Sequence, residues 1–512
     1  MIIRQGNAAD IGLLLEGTFP YVRGGVSSWV NQIIHGFPDL TFGICFVGSR
    51  QEDYGDMRYA FPDNVVHLEV HYLHGNHERP SLMRRRLVGA NVSEQITAIH
   101  DYFRKGDGSQ PSPMTGVLKA IREGRFTKED FLHSRSSWDY ITAQYRERCQ
   151  DPSFADYFWT VRIMHGPLWM LMDIAEQFIP VRVYHSISTG YAGYLGSLLK
   201  QRTARPLLLT EHGIYTKERK IDLFHAEWIR DNRGVLDKDF TEIAYFRRLW
   251  LRFFESLGRE CYQHSHRIVA LYEANRLRQV KEGAPPELTM NIPNGIDLPR
   301  LEKLRERRGD SIPLTVCLIG RVVPIKDIKT FIRGMQMVTN RLPGVEAWIA
   351  GPEDEDREYA QDCHNLADGL GLTDKVKFLG FQNTNELLPK IGVIVLSSIS
   401  EAMPLVILEG NAAGVPCVAT DVGACRQLVE GLGEEDEALG ASGGIVSIAD
   451  PEALATAILR LLSDPQRWHR AQQAGIGRVE RYYTQEMMLS RYRAVYDDAL
   501  AQPDISNAGQ GQ

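Results

Sequence analysis

The residue types that can do chemistry in this chain gather in a few short runs. In SEAMPLVILEG, Ser400 to Gly410, Glu401 and Glu409 close the two ends of an otherwise apolar segment. Pro404 falls where a helix would begin, because a first-turn residue has no use for its amide hydrogen. Glu401 then precedes that helix and Glu409 rides on it about two turns from its start. A carboxylate at a strand end accepts hydrogen bonds from sugar hydroxyls, and one on the following helix bridges a vicinal diol such as a ribose 2′,3′ pair. An exposed loop charge and a helix-face charge would leave the same trace. Upstream, GRVVPIKDIKTFI sets Arg321 and Lys326 five residues apart. Two such cations either converge on a diphosphate, Arg as a fork and Lys as a point charge, or stand singly in solvent. Near the start, Gly24 and Gly25 precede VSSWVNQIIHGF, whose Val26, Trp29, Val30, Ile33, Ile34 and Phe37 follow helical spacing. The glycine pair either makes a tight turn or lets an anion reach the first helical amides.

These runs need a frame to hold them. IGLLLEG, TFGICFVGS, NVVHLEV, VRVYHS, PLLLTEHG and RIVALY in the first half, and LTVCLIGR, VEAWIAG, VKFLG, IGVIVLSS, PCVATD and GGIVSI in the second, are short apolar runs that alternate with helical patterns. Runs apolar on both faces suit parallel strands covered by helices. The spacing predicts an α/β protein of two doubly wound domains, with ligands at the carboxyl ends of strands and a site between the domains. At roughly 150 residues per domain, the 512 residues allow two or three. PNGIDLPRLEKLRERRGDSIP marks a boundary near residue 300, giving domains over 1–300 and 301–480. A mainly helical insertion is expected over 74–166, a C-terminal helix over 481–502 and a disordered tail over 503–512.

Composition removes other classes. A net charge of −7 argues against nucleic acid as a partner. No run approaches the roughly 18 apolar residues of a membrane span, and IGLLL is too short for a signal-peptide core, so a cytoplasmic location is expected. The seven cysteines, 45, 149, 261, 317, 363, 417 and 425, form no C-x-x-C pair and read as buried thiols rather than as a disulfide framework or a zinc site. Asp354-Glu355-Asp356 and Asp237-Lys238-Asp239 lie in charged surroundings and read as solvated loops rather than metal ligands. The basic run Met83 to Leu87 reads as an exposed helix face, the alternative being contact with an anionic membrane or an acidic partner.

The combination of an E-x7-E pair, an upstream G-R…K loop, PNGID and VKFLGF resembles the retaining glycosyltransferases of family four, which have the GT-B architecture. EGTFPYVRGGVSSWVNQI and LTEHGIYTKERKI are similar, more narrowly, to the Pel exopolysaccharide glycosyltransferases of the PelF type. The wider likeness spans about residues 10–50 and 180–500, and the insertion is matched only by the narrower one. It implies two Rossmann-like domains facing a cleft and a C-terminal helix crossing back to the first. Arg321 and Lys326 would hold the donor diphosphate, Glu409 the ribose and Glu401 the transferred sugar, with Gly24 and Gly25 facing the phosphates. His212, in TEHG, matches a histidine near the reacting sugar, while Lys217, Arg219 and Lys220 would contact the acceptor.

The resemblance implies a UDP-sugar donor, UDP-glucose favoured over an N-acetylhexosamine, and a growing polysaccharide as acceptor. It also implies no metal cofactor and work beside an inner-membrane synthesis and export complex. A nucleotide-sugar 2-epimerase or a non-catalytic nucleotide-binding scaffold would use the same architecture; the E-x7-E pair and PNGID weigh against the first, and the presence of all four donor-site residues against the second.

Overall fold

The computed structural model describes residues 1–74, 87–106, 108–109, 111–149, 153–225, 245–309 and 311–503. The chain divides into two units, one made of Met1–Ala270, Arg276–Asn291 and the chain from Ala494 on, the other of Leu271–Asn275 and Ile292–Arg493.

The first unit is built on eight strands, β1 (Ile2–Arg4), β2 (Ala9–Glu16), β3 (Phe42–Gly48), β4 (Val65–Tyr72), β5 (Val181–Ser186), β6 (Leu207–Glu211), β7 (Arg267–Ala270) and β8 (Thr289–Asn291). Their order is β1-β4-β3-β2-β5-β6-β7-β8, and only β1 runs antiparallel to its neighbour. The second sheet contains β9 (Thr315–Ile319), β10 (Glu346–Ala350), β11 (Val376–Gly380), β12 (Val393–Leu396), β13 (Cys417–Thr420) and β14 (Gly443–Val446). It is wholly parallel, in the order β11-β10-β9-β12-β13-β14. Parallel strands need helical crossovers, so both faces are covered and both must be apolar. Thus Cys317, Ile394, Leu396, Cys417 and Ala419 pack into one cluster, and their alternating neighbours Val316, Leu318, Val393, Val395 and Val418 into another.

In each sheet the strand order reverses once, between β2 and β5 and between β9 and β12. There adjacent strands send their following chains to opposite faces, which opens a crevice at the carboxyl ends.

The segment after β4 carries the helices Ala90–Lys105, Met114–Arg122, Lys128–His133, Arg135–Arg148 and Phe154–Gln177. The last one runs on through Pro167, past residue 166, where the helical insertion was expected to end. Beyond the proline, Leu168, Trp169, Leu171, Met172, Ile174 and Ala175 are all buried, and that burial outweighs one missing helical hydrogen bond. The basic run Met83 to Leu87 falls outside the described residues except for Leu87, as do Asp237-Lys238-Asp239 and the tail from 504. No helix among the described residues is long and apolar enough to cross a membrane.

The C-terminal helix Gln485–Leu500 belongs to the second unit through Arg493 and to the first from Ala494. In the first unit, Tyr496 reaches the buried His185 through a 2.8 Å contact between its hydroxyl and Nδ1, and Asp498 accepts from His266 and Arg267.

Within the second unit, Arg478 on the helix Pro465–Tyr482 is fully buried. It donates to Asp436 Oδ1 at 2.6 Å and to the carbonyls of Val429, Asp436 and Gly440 at 2.7, 3.0 and 2.8 Å. Removing one partner of such a pair leaves a buried charge uncompensated. Arg478→Met should therefore lower the stability of this unit by about 3–5 kcal/mol, read by urea denaturation. Replacing Asp436 by Leu in the same chain should recover part of the loss; no recovery would mean that the carbonyl bonds, rather than the ion pair, carry it.

Candidate active site

Two loops meet at the switch point of the second sheet. The loop after β9 runs through Gly320 and Arg321 to a turn of 3-10 helix, Pro324–Lys326, and then to the helix Ile328–Arg341, capped by Asp327. The loop after β12 runs from Ser397 to Pro404, where the helix Leu405–Ala412 begins. Ser397 Oγ donates to the carbonyls of Lys326 and Asp327 at 2.9 and 3.0 Å, and Ile399 N donates to Ile325 O at 2.8 Å. Thr420 Oγ1 donates to Ser398 O at 2.6 Å, fixing the second loop from β13. Gly423, at φ 55°, completes the seat: a Cβ there would lie 2.3 Å from the carbonyl oxygens of Glu401 and Ala402.

This scaffold brings Lys326 and Glu401 into contact, with Lys326 Nζ donating to Glu401 Oε1 at 2.5 Å. Ser398 Oγ donates to the same oxygen at 2.6 Å, so Oε2 takes neither bond. The lysine and glutamate side chains keep 19% and 14% of their exposure, enough to be reached but too little for solvent alone to screen the pair. Arg321 stands apart from them: it is exposed and binds both oxygens of Glu355 at 2.6 Å. Glu355 belongs to the acidic triplet read as a solvated loop. Asp354 and Glu355 are indeed exposed; within that loop Glu355 also pairs with Arg321, and Asp356 caps the helix Arg357–Gly369 by accepting from Tyr359 N at 2.9 Å.

Glu409 lies little more than one turn into its helix rather than two, because the helix starts only after Pro404. Arg300 donates to its Oε1 at 3.0 Å and to Asn385 Oδ1 at 2.5 Å. Burial raises the pKa of Glu409, and the guanidinium beside it works against that rise. Arg300 was not singled out from the sequence because it sits in the PNGIDLPR run, which reads as a linker. That run is built into the second unit instead: Arg305 donates to Ala412 O at 2.6 Å, and Arg308 to the carbonyls of Leu388 and Ile391 at 2.9 and 2.8 Å. The signal available was the density of arginine in a stretch too basic for an inert connector.

In the first unit, the switch point holds a carboxylate. Glu16, the last residue of β2, accepts from Tyr215 Oη at 2.8 Å, from Ala192 N at 3.1 Å and from Ser188 Oγ at 3.3 Å. It too escaped the sequence reading, although the LLLEG run marks a charge at a strand end. His212 follows β6 and packs edge-on to Trp29, with ring centroids 4.8 Å apart. Both ring nitrogens are buried, and neither has a hydrogen-bond partner among the described residues. Its neighbour Glu211 is held by Thr189, Tyr215 N, Tyr262 and Gln279, and burial still lifts its pKa to about 7.

Gly24 and Gly25 are exposed at the start of the helix Gly25–Gly36. Gly24 is in extended backbone, and a Cβ there would meet nothing within 4 Å. The protein's own packing therefore does not call for glycine at this position. Lys217, Arg219 and Lys220 lie on the helix Tyr215–His225, and Arg219 pairs with Asp222 at 2.7 Å while covering the ring of Tyr215.

Burial pushes the His212 imidazole down to about 4 and that of His185 to about 3, so both are neutral near pH 7. A folded pKa below the unfolded one of about 6.5 favours the fold fully above that value, and the contribution is lost as pH falls towards 4. Urea unfolding of the first unit should therefore be independent of these groups above about pH 6.5 and weaken below it. Replacing His212 by Gln should flatten part of that slope; an unchanged slope would show that His212 is protonated in the folded state.

Residues 9–287 match a family model described as a domain of unknown function, DUF3492, and residues 313–464 match one described as glycosyl transferases group 1. D-inositol 3-phosphate glycosyltransferase from Salinispora tropica is 28% identical over 326 residues, 61% of this chain and 63% of its own length, so the chain spans less than two thirds of that curated relative. Among solved structures, Anabaena Alr3699/HepE in complex with UDP superposes with a TM-score of 0.55 at 15% identity, covering 96% of this chain and 100% of that one. Sucrose-phosphate synthase from Thermosynechococcus elongatus gives a TM-score of 0.55 at 16% identity, covering 96% and 99%. At such identities the likeness is one of fold, the two-domain GT-B fold of glycosyltransferases.

Proposed function

We propose a function for a chain that belongs to the DUF3492 family, whose model takes in more than half of its length, and whose residues 313–464 match the group 1 glycosyl transferases. The chain is a retaining glycosyltransferase that moves a hexose from a UDP-sugar, UDP-glucose favoured, to a growing exopolysaccharide of the Pel type. The transfer needs no metal, and the enzyme works on the cytoplasmic side, beside an inner-membrane synthesis and export complex. The observation that carries this reading is the joining of Lys326, Glu401 and Ser398 at the switch point, with the Arg300–Glu409 pair on the helix that follows the second loop. The UDP seen with Anabaena Alr3699/HepE supports the choice of base. The two long N-terminal runs similar to Pel-type enzymes support the choice of pathway.

In this reading each group has a task. Lys326 has three donors and can keep Glu401 while binding a phosphate oxygen. Arg321 leaves Glu355 to fork onto the diphosphate, an exchange that costs little because the pair is exposed. Oε2 of Glu401 accepts from hydroxyls of the sugar, and Oε2 of Glu409 from the ribose diol. Departure of the nucleoside diphosphate breaks the bond between the anomeric carbon and the β-phosphate oxygen, and the electron pair stays on that oxygen. Fixed cations stabilise the charge developing there. The acceptor hydroxyl attacks from the same face, forming the new glycosidic bond and passing its proton to the departing phosphate. His212, uncharged, and Gly24 and Gly25 act near the sugar and phosphates, and Lys217, Arg219 and Lys220 hold the acceptor.

Calorimetry with a panel of nucleotides and nucleotide sugars tests the pocket. UDP should bind the wild type, and Lys326→Ala and Glu409→Ala should each weaken it by about 10–100-fold, the range of one charge-assisted hydrogen bond. If no nucleoside diphosphate binds, the pocket is misassigned. Glu355→Gln should leave affinity unchanged or tighten it up to about fivefold, because an exposed pair is worth up to about 1 kcal/mol; weaker binding would mean that Glu355 positions Arg321 rather than competing for it. NMR of the isolated product should show the donor's anomeric configuration, and an inverted anomer would remove the same-face step.

A further inference from the structure

The first sheet carries a second cluster of reactive side chains, on β3 and β4, to which the transfer reaction assigns nothing. The parallel register sets Cys45 of β3 opposite Glu69 of β4. Along β4, His67, Glu69 and His71 are two residues apart and so share one face of the sheet. The donor atoms of Cys45, Glu69 and His71 all lie within 4.8 Å of one another. His71 Nε2 is 3.1 Å from Glu69 Oε1, and His67 Nε2 is 3.4 Å from Oε2.

The contacts within this cluster are long or poorly aligned for hydrogen bonds. Glu69 is buried, with 6% of its surface exposed, yet its hydrogen bond from His67 is long. His71 Nε2, though close to the other oxygen, has no hydrogen bond of acceptable geometry and is itself a buried atom. Burying a carboxylate is costly unless its donors are well placed; the two imidazoles and the thiol beside Glu69 offset part of that cost, and a cation among these atoms would remove more of it. In a tetrahedral site with bonds of about 2.0–2.3 Å, neighbouring ligand atoms stand roughly 3.3–3.8 Å apart, so side-chain shifts of less than an ångström or so would bring this set onto a common ion.

We propose that Cys45, Glu69 and His71 bind a zinc ion, with His67 orienting the Glu69 carboxylate through its second oxygen. A thiolate and an imidazole beside one carboxylate favour zinc over magnesium or calcium, which take all-oxygen sets. Thiolate and carboxylate together balance the two positive charges, and the thiol proton leaves to solvent on binding. His71, with 26% of its side chain exposed although its Nε2 is buried, stands at the edge of the site, where its ring would turn to admit the ion, and water would fill the fourth position. The ion would tie β3 to β4 and takes no part in sugar transfer; the proposal stands apart from the assignment of the donor pocket.

The test uses the full chain, stripped with a chelator and dialysed against Zn2+ or Co2+ alone. One metal ion per chain is expected, with a raised thermal midpoint. With Co2+, a thiolate-to-metal charge-transfer band and the intense visible bands of four-coordination should appear. Because the other six cysteines are also buried thiols, Cys45→Ser must abolish the charge-transfer band. His67→Gln should weaken Zn2+ binding about 10–100-fold while the band remains, as expected for a residue outside the ligand set. Should Cys45→Ser fail to fold, His71→Ala, at a partly exposed position, should weaken Zn2+ binding by at least about 100-fold. Absence of stoichiometric binding or of the thiolate band in the wild type overturns the proposal, and so does a band that survives Cys45→Ser.

Discussion

The double burial of parallel strands is the constraint on which the rest of this molecule depends. A strand covered by helices on both faces makes a charge costly along its length, so the reactive charges of the second unit gather in the loops beyond the carboxyl ends, and Glu69 within β4 is a buried exception in the first. The reversal of strand order between β9 and β12 then decides which loops become neighbours. Lys326 and Glu401, 75 positions apart, meet because β9 and β12 are adjacent, and Ser397, Thr420 and Gly423 fix the loops that carry them. The contact of 2.5 Å between the lysine and the glutamate is thus a property of the sheet before it is a property of either residue.

The charges gathered in the second unit are stored in compensated form. Lys326 is paired with Glu401, Arg321 with Glu355 and Glu409 with Arg300. Such pairing lowers the cost of holding polar groups at a partly buried site and fixes their geometry. The three pairs differ in depth, and depth decides their freedom: Arg321–Glu355 is exposed and easily exchanged, whereas Lys326–Glu401 is not. In the first unit His212 follows the opposite rule. Its ring is buried against Trp29, uncharged and without a hydrogen-bond partner among the described residues. An imidazole in that state is ready to make a directional bond and resists protonation.

The alternation of short apolar runs and helical patterns made the α/β class readable, since period and length are local properties. The order of glycines, cations and carboxylates, each just beyond an apolar run, was readable for the same reason. The helix Phe154–Gln177 shows the limit of local signals. Gly166-Pro167 is a strong breaker on its own, and only the core that accepts Leu168, Trp169 and Leu171 overrules it. Arg300 shows another limit, because a basic run looks like a linker until the carbonyls and carboxylates it binds are in place.

By itself the amino-acid sequence determined where most of the strands and helices form and which chemical groups stand at their ends, because those depend on spacing over a few residues. Tertiary structure alone decided which of these groups touch. Cys45 and Glu69, both inside apolar strands and apart by 24 positions, become neighbours through the register of β3 against β4. Arg300 and Glu409, 109 positions apart, become a clamp through the docking of a segment with no periodic signal. Such contacts depend on strand order and register, which are set by packing over the whole unit and leave no mark at either residue.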